Sequence, residues 1–404
     1  MKQLRSYFTQ TYKDLSIVAV TLGIYFMMMP FDSIPMFGMG SILKILVLLP
    51  VGAILFVKLR YTMQINSLSV VFIVYCLTLF FSVLYSIDPE VSFGNFKRVI
   101  LNMAVVLCTG TMYEYNKTEI EFLKKCLVLG GLGTIALTMV FADYSAEGRL
   151  TMSVNGATQD QNYLNGYLFF AFVFFMLLLV KDKKILSLIP VLGIVYFTLL
   201  TGSRGALVSL AGMCAVTVFY VLRQSPSLKI RTIVIVIAVV VLLVLLYQPI
   251  LTLLPESVSQ RFSVEYIKEK GNTGRTEIWA YLINRFVHAD LFRTLFGHGY
   301  ATVVIVNEYN HLVAHNLWLD HLIMVGIIGE IVFLAMQFTY IRAAWKSEDP
   351  FFLISYIGYL IMMLTLSPLT YKPIWNCMTM IMIMSNYQSR KTAEELETGD
   401  IHGL

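Results

Sequence analysis

Residues 67–85 read SLSVVFIVYCLTLFFSVLY, nineteen residues without a charge, and the acidic turn Ser86-Ile87-Asp88-Pro89-Glu90 follows. An apolar run of that length crosses the ~30 Å hydrocarbon core of a bilayer as a helix. Lipid offers no water to open backbone, so the run must close its hydrogen bonds internally. The pattern recurs along the chain. Spans are expected near 15–31, 41–57, 67–85, 97–113, 124–142, 163–180, 185–201, 204–222, 232–250, 317–341, 351–368 and 373–387. The fold class is an all-α polytopic membrane protein with twelve transmembrane helices, residues 1–404 forming a single integral membrane domain. A β-barrel is excluded, because it would show alternating strands of ~10 residues.

Composition agrees. The chain is 57% hydrophobic and 14% charged, where a soluble domain carries about 25% charged residues. Cys76, Cys108, Cys126, Cys214 and Cys377 all fall in apolar stretches with no CxxC, which reads as buried small hydrophobes rather than a disulfide framework or a zinc site. The first run ends in Met27-Met28-Met29-Pro30-Phe31-Asp32, not in a small-residue cleavage site, and so reads as an uncleaved first span.

Cytoplasmic loops retain Lys and Arg. With the N-terminus inside, 18 of the 30 basic residues fall in short inner segments, among them Lys58, Arg60, Lys124, Lys125, Lys181, Lys183, Lys184, Arg223, Arg342, Lys346, Arg390 and Lys391. Both termini are therefore expected in the cytoplasm, and the net charge of +5 calls for no nucleic-acid partner. The remaining bases oppose that bias. Lys97, Arg98, Arg149, Arg204, Arg261, Lys268, Lys270, Arg275, Arg285, Arg293 and Lys372 are expected on the outer side, with Lys44 near the outer end of a span, and an anionic ligand would account for several of them.

Many of these lie in a polar insert, residues 251–315, which alternates charges with amphipathic runs such as Ile278-Trp279-Ala280-Tyr281-Leu282-Ile283. Short amphipathic helices lying over the spans are expected there, punctuated by Gly271, Gly274, Gly297 and Gly299. Residues 388–404 read as a polar, disordered cytoplasmic tail.

Three constellations could carry chemistry. Thr201-Gly202-Ser203-Arg204-Gly205-Ala206 joins two spans with almost no linker. An arginine at a helix N-terminus adds its fork of donors to free N–H groups, a site suited to phosphate; the alternative is a snorkelling interface arginine. Gly274-Arg275-Thr276-Glu277-Ile278-Trp279 puts an aromatic one turn after an arginine, a pairing for a diphosphate and a sugar face, or a surface helix with Arg275 paired to an acid. His311-Leu312-Val313-Ala314-His315-Asn316 enters the next span, with Gly326 and Gly329 beyond. His315 there suits a general base near neutral pH. Its alternatives are a capping or packing residue, or a metal pair with His311 joined by Glu308, Asp320 and His321. Gly326 and Gly329 read as helix-packing positions. Arg149, Asn162 and their neighbours Gln159, Asp160 and Gln161 are candidates for sugar hydroxyls or plain surface solvation. Glu330 is an acid inside a span, either functional or paired with a neighbouring helix. No Walker A loop, GxGxxG or convincing Ser/His/Asp set appears.

Taken in order, Ser203-Arg204-Gly205-Ala206, Gly274-Arg275 with Trp279, and His315-Asn316 followed by nine residues, Gly326, two residues and Gly329 resemble the O-antigen ligase and O-antigen polymerase superfamily of bacterial membrane glycosyltransferases. The resemblance covers nearly the whole chain. It implies a GT-C-like fold in the cytoplasmic (inner) membrane, working at its periplasmic or extracellular face. The donor would be an oligosaccharide on undecaprenyl diphosphate, and the acceptor lipid A core or another glycan repeat unit. Arg204, Arg275 and Arg98 would hold the diphosphate, and His315 would be the catalytic base. Trp279, Asn316, Asn162 and Arg149 would meet the glycan. The reaction would be inverting and need no metal or cofactor; a chain-length regulator protein and membrane lipids would be partners. A flippase or transporter of lipid-linked glycan, or a non-catalytic scaffold, is the alternative.

Overall fold

The computed structural model describes residues 15–33, 43–57, 64–224, 247–270, 274–347 and 349–398. The chain opens with α1 (Ile17–Met27), α2 (Leu43–Leu46), α3 (Leu48–Val57), α4 (Ser67–Leu84), α5 (Pro89–Thr111) and α6 (Lys117–Val140). Strands β1 (Ala142–Tyr144), β2 (Leu150–Val154) and β3 (Ala157–Thr158) follow. Next come α7 (Gln161–Gly166), α8 (Phe169–Val180), α9 (Leu188–Leu200) and α10 (Arg204–Gln224). The insert forms α11 (Tyr247–Thr252), α12 (Glu256–Phe262), α13 (Val264–Lys270), α14 (Arg275–Val287), α15 (Leu291–Phe296) and α16 (Val303–Val306). The chain closes with α17 (Leu317–Lys346), α18 (Phe351–Met362) and α19 (Lys372–Thr398).

Among the described residues, six helical segments are long and apolar enough to cross a membrane: 67–84, 89–111, 117–140, 161–180, 204–223 and 317–346. Shorter apolar helices occupy 17–27, 48–57, 185–200 and 351–362. The span expected at 232–250 lies largely outside the described residues. Polar caps start the long helices at the ends of their apolar runs. Asn66 Oδ1 accepts the Ser69 N–H and Ser69 Oγ accepts the Asn66 N–H, both at 2.9 Å. Asn116 and Glu119 make the same reciprocal box ahead of α6. Asp88 caps α5, with Pro89 in its first turn.

The helices pair as α4 with α17, α5 with α19, α10 with α18 and α1 with α6. Lys124 pairs with Asp349, and Lys372 with Asp32, tying loop ends across the bundle. Aromatic side chains fill the core, Phe72 meeting both Tyr340 and Trp375 edge-on.

Two expectations need correction. The fold is mostly helical, but a small antiparallel sheet of order β1-β2-β3 interrupts it after α6. Asn155 and Gly156, at φ 52° and 79°, make the tight turn between β2 and β3; an Asn-Gly pair between strand-forming residues favours this turn. The sheet buries Leu150 and Met152, with β2 packed on α6 and α7. The tail is also more ordered than expected. Helix α19 runs on to Thr398 because Lys391, Ala393, Glu394, Glu395 and Leu396 are good helix formers, and Lys391 reaches Glu395 one turn on at 3.7 Å.

The main irregularity sits in α17. Gly326, at φ 66° and ψ −171°, breaks the helix in a conformation open essentially to glycine alone. The carbonyls of Ile323 and Met324, just before the break, accept the N–H groups of His298 and Gly299, each at 2.9 Å. Contact is close on both sides: a Cβ on Gly326 would lie 2.5 Å from the Leu295 carbonyl carbon, and one on Gly297 2.4 Å from that of Met324. The glycines that read as helix-packing positions therefore include a docking point for the insert. Gly326→Ala is expected to cost at least about 1–3 kcal/mol from backbone strain alone. A thermal melt in detergent matching the wild type would show that the break is not required.

Candidate functional site

Gly202, at φ 61°, turns the chain between α9 and α10 and leaves Arg204 as the first residue of α10. A Cβ on Gly202 would sit 3.3 Å from both the Arg149 side chain and Arg261 Cδ, so a bare backbone lets two arginines close on the turn. Arg149 Nε donates to Thr201 O at 2.8 Å, and its Nη2 donates to Asn162 Oδ1 at 3.0 Å. Asn165 Nδ2 donates to Thr201 Oγ1 at 2.9 Å. Arg261, from α12, pairs with Glu147 in the β1–β2 loop. Glu147 also lies 3.9 Å from Arg149 Nη1. The Nε of Arg261 is buried with no hydrogen-bond partner among the described residues.

His315 approaches from the other side. Its backbone takes φ 51°, a left-handed conformation rare for a residue with a side chain. The preceding peptide groups are held at both ends. Ala314 N–H donates to Asp320 Oδ1 at 2.8 Å, and Ala314 O accepts the Trp279 Nε1–H at 2.7 Å. Ser367 donates to the second Asp320 oxygen. The Leu317 N–H donates to Met363 O at 2.8 Å, fixing the start of α17 against the end of α18. Asn316 Oδ1 accepts the Trp318 N–H at 3.1 Å as the N-cap of α17.

The two halves share one electrostatic field. Burial, then the charges of Arg204 and Arg261, push the Arg275 guanidinium below its ordinary range, while Asp160 acts the other way. Burial and then Arg261 do the same to Arg149, with Asp160 and Glu147 opposing. Burial first, then Arg275, holds the His315 imidazole below its ordinary value, again against Asp160. Arg149, Arg204, Arg261 and Arg275 thus form one positively charged cluster beside His315, with two acids at its edge. Such an array suits an anion and a neutral imidazole beside it.

The expected site residues divide. Arg204, Arg275 and His315 come together. Arg98 is exposed on α5, where its charge acts on Tyr300. Arg149 is only 8% exposed and bonded to Thr201 and Asn162, so both Arg149 and Asn162 brace the turn. Asn316 and Trp279 have internal partners as well. His311 and His315 lie on a loop, both at positive φ, so their spacing of four does not place them on one helix face. Glu308 pairs with Arg285 at 3.2 Å, and His321 with Glu330 at 2.7 Å inside α17. The sequence did not single out Arg261 or the holding role of Asp320. Arg261 stood only among the outer bases, and Asp320 only as a candidate ligand.

Residues 189–334, from α9 into α17, match the family model described as O-antigen ligase. The match holds Arg204, Arg261, Arg275 and His315, and it is to the family that the motifs resemble. Its long apolar helices are those of a membrane protein, and residues 189–334 are what it shares with the O-antigen ligase family. No curated protein matches the chain.

Two predictions follow from the geometry. If Trp279 acts as a strut, Trp279→Phe keeps an aromatic face but loses the bond to Ala314, costing about 0.5–1.5 kcal/mol, read as a several-fold drop in turnover; unchanged turnover would favour a stacking role. A base with a lowered pKa loses activity only as pH falls through that lowered value. The acid limb of the kcat/KM profile should thus lie below the ordinary imidazole value of about 6.5. Arg275→Ala, by removing a positive neighbour, should move that limb to higher pH, and an unmoved limb would break the link between the two residues.

Proposed function

We propose that the protein transfers a glycan from an undecaprenyl-diphosphate-linked donor to an acceptor sugar hydroxyl at the outer face of the cytoplasmic membrane. The observation that carries this reading is that the charge of Arg275 acts on His315 while those of Arg204 and Arg261 act on Arg275, linking four chain segments. In the reaction the acceptor oxygen attacks the anomeric carbon as the bond to the diphosphate oxygen breaks. Negative charge then grows on undecaprenyl diphosphate, and fixed guanidinium groups in a partly buried site stabilise it. His315, neutral at physiological pH, takes the acceptor proton. Attack from the face opposite the leaving group inverts the anomeric centre, and no step calls on a metal.

In this reading the spans number twelve in a GT-C-like arrangement, with both termini cytoplasmic and the 251–315 insert outside. The gathering of arginines on one turn and one insert favours catalysis over a transport pathway, which would need cations along the bundle axis. Transfer to lipid A core makes the protein a ligase; transfer to another repeat unit makes it a polymerase.

The test is reconstitution in liposomes with the lipid-linked repeat unit, alone and with a core acceptor. His315→Ala and Arg204→Ala should each lower transfer by about a hundredfold or more. A ladder without added acceptor identifies a polymerase, and a single transfer that needs the core acceptor identifies a ligase. Transfer unaffected by either substitution would remove the site, and no transfer to any acceptor would remove the enzymatic reading.

A further inference from the structure

At the end of the bundle away from His315, three helices enclose a groove of about 830 Å³. It lies between the first turn of α4, the last turns of α17 and the polar end of α19. Arg342, Lys346 and Lys391 line it against a single acid, Glu395. Glu395 lies 3.7 Å from Lys391, its neighbour one turn back, and Arg342 and Lys346 have no ion pair among the described residues. Ser67 and the positive end of α4 add to the lining, while the Thr339 and Ser389 hydroxyls donate to Ala335 O and Ser385 O within their own helices. The volume lies within the range of small-ligand sites.

The groove also has an apolar side. Phe338, on its wall, is 65% exposed, Leu334 and Ile331 continue that exposed face along α17, and Val70 and Val74 are exposed on α4, the helix packed against it. Trp345, partly exposed and under the Arg223 guanidinium at 4.9 Å, sits near the same end of α17, and tryptophan favours the level of lipid headgroups. Cations at headgroup depth and an apolar lane leading from them match one kind of ligand: an anionic head carrying acyl chains. A soluble anion would use the cations but not the lane.

We infer that this groove binds an anionic phospholipid, its phosphate held by Arg342, Lys346 and Lys391 and its chains lying along α17 and α4. Assignment to the inner leaflet rests on the orientation proposed above; the binding itself does not depend on glycan transfer, and neither does its test. Protein would be placed in nanodiscs of equal phosphatidylcholine and phosphatidylglycerol, and retained lipid counted by native mass spectrometry. The wild type should keep phosphatidylglycerol. Arg342→Gln with Lys346→Gln should lower that retention about tenfold or more, whereas Lys181→Gln with Lys183→Gln, basic residues outside the groove, should not. Thr339→Trp, which fills the groove without changing charge, should have the same effect as the groove pair and serves if the double variant fails to fold. Equal retention of phosphatidylcholine, retention unchanged in the groove variants, or displacement of the lipid by inorganic phosphate would overturn the proposal.

Discussion

In a bilayer an interrupted helix must find donors for the carbonyls that the interruption releases, because lipid supplies none. The break at Gly326 meets this demand with the backbone of the insert, His298 and Gly299 donating to Ile323 and Met324. The span and the insert are therefore one unit. The close approach of Leu295 and Gly297 to the same stretch admits no side chain on either glycine. From that anchor the insert runs back to α14, whose Trp279 reaches the residue before His315. The position of the candidate base is thus fixed through backbone contacts rather than through its own side chain.

The arginine cluster works against the stability of the fold. Guanidinium groups held together, partly out of water, repel one another, and Glu147 and Asp160 compensate only in part. A site left short of negative charge is stabilised when a diphosphate enters, so ligand affinity and the free protein's stability are opposed. Strain adds to this at His315, whose left-handed backbone persists because both polar groups of Ala314 are held.

The sequence gives away the middles of the helices better than their ends. The run at 67–85 coincides with α4 because Asn66 sits at its edge. The helix expected at 97–113 begins instead at Pro89, since Asp88 caps it and neither Glu90 nor Lys97 halts it. Hydropathy follows the part that meets lipid, while caps decide where the helix starts. The short sheet escaped notice because its strands are brief, although Asn155-Gly156 marks its turn. Among site residues, Arg204, Arg275 and His315 were legible as separate points because each sits in a distinctive local setting. Arg261 and Asp320 were not, since what defines them is remote: Arg261 meets Glu147 across 114 positions, and Asp320 joins Ser367 across 47. No local pattern encodes such partners.

The turn at Thr201–Ser203 has a consequence for how the protein is made. Its neighbours Arg149 and Arg261 come from opposite sides of it in the chain, and Arg275 and His315 come later still. A ribosome delivers Arg149 and Thr201 long before the segment that brings Arg261. Contacts of high sequence separation form slowly, so the turn between α9 and α10 must wait for Arg261 until the insert has been made. The insert then folds down as the last layer, and the centre comes into being only once synthesis has passed α17. A nascent chain halted before the insert would hold the turn and Arg204 without Arg261, Arg275 or His315.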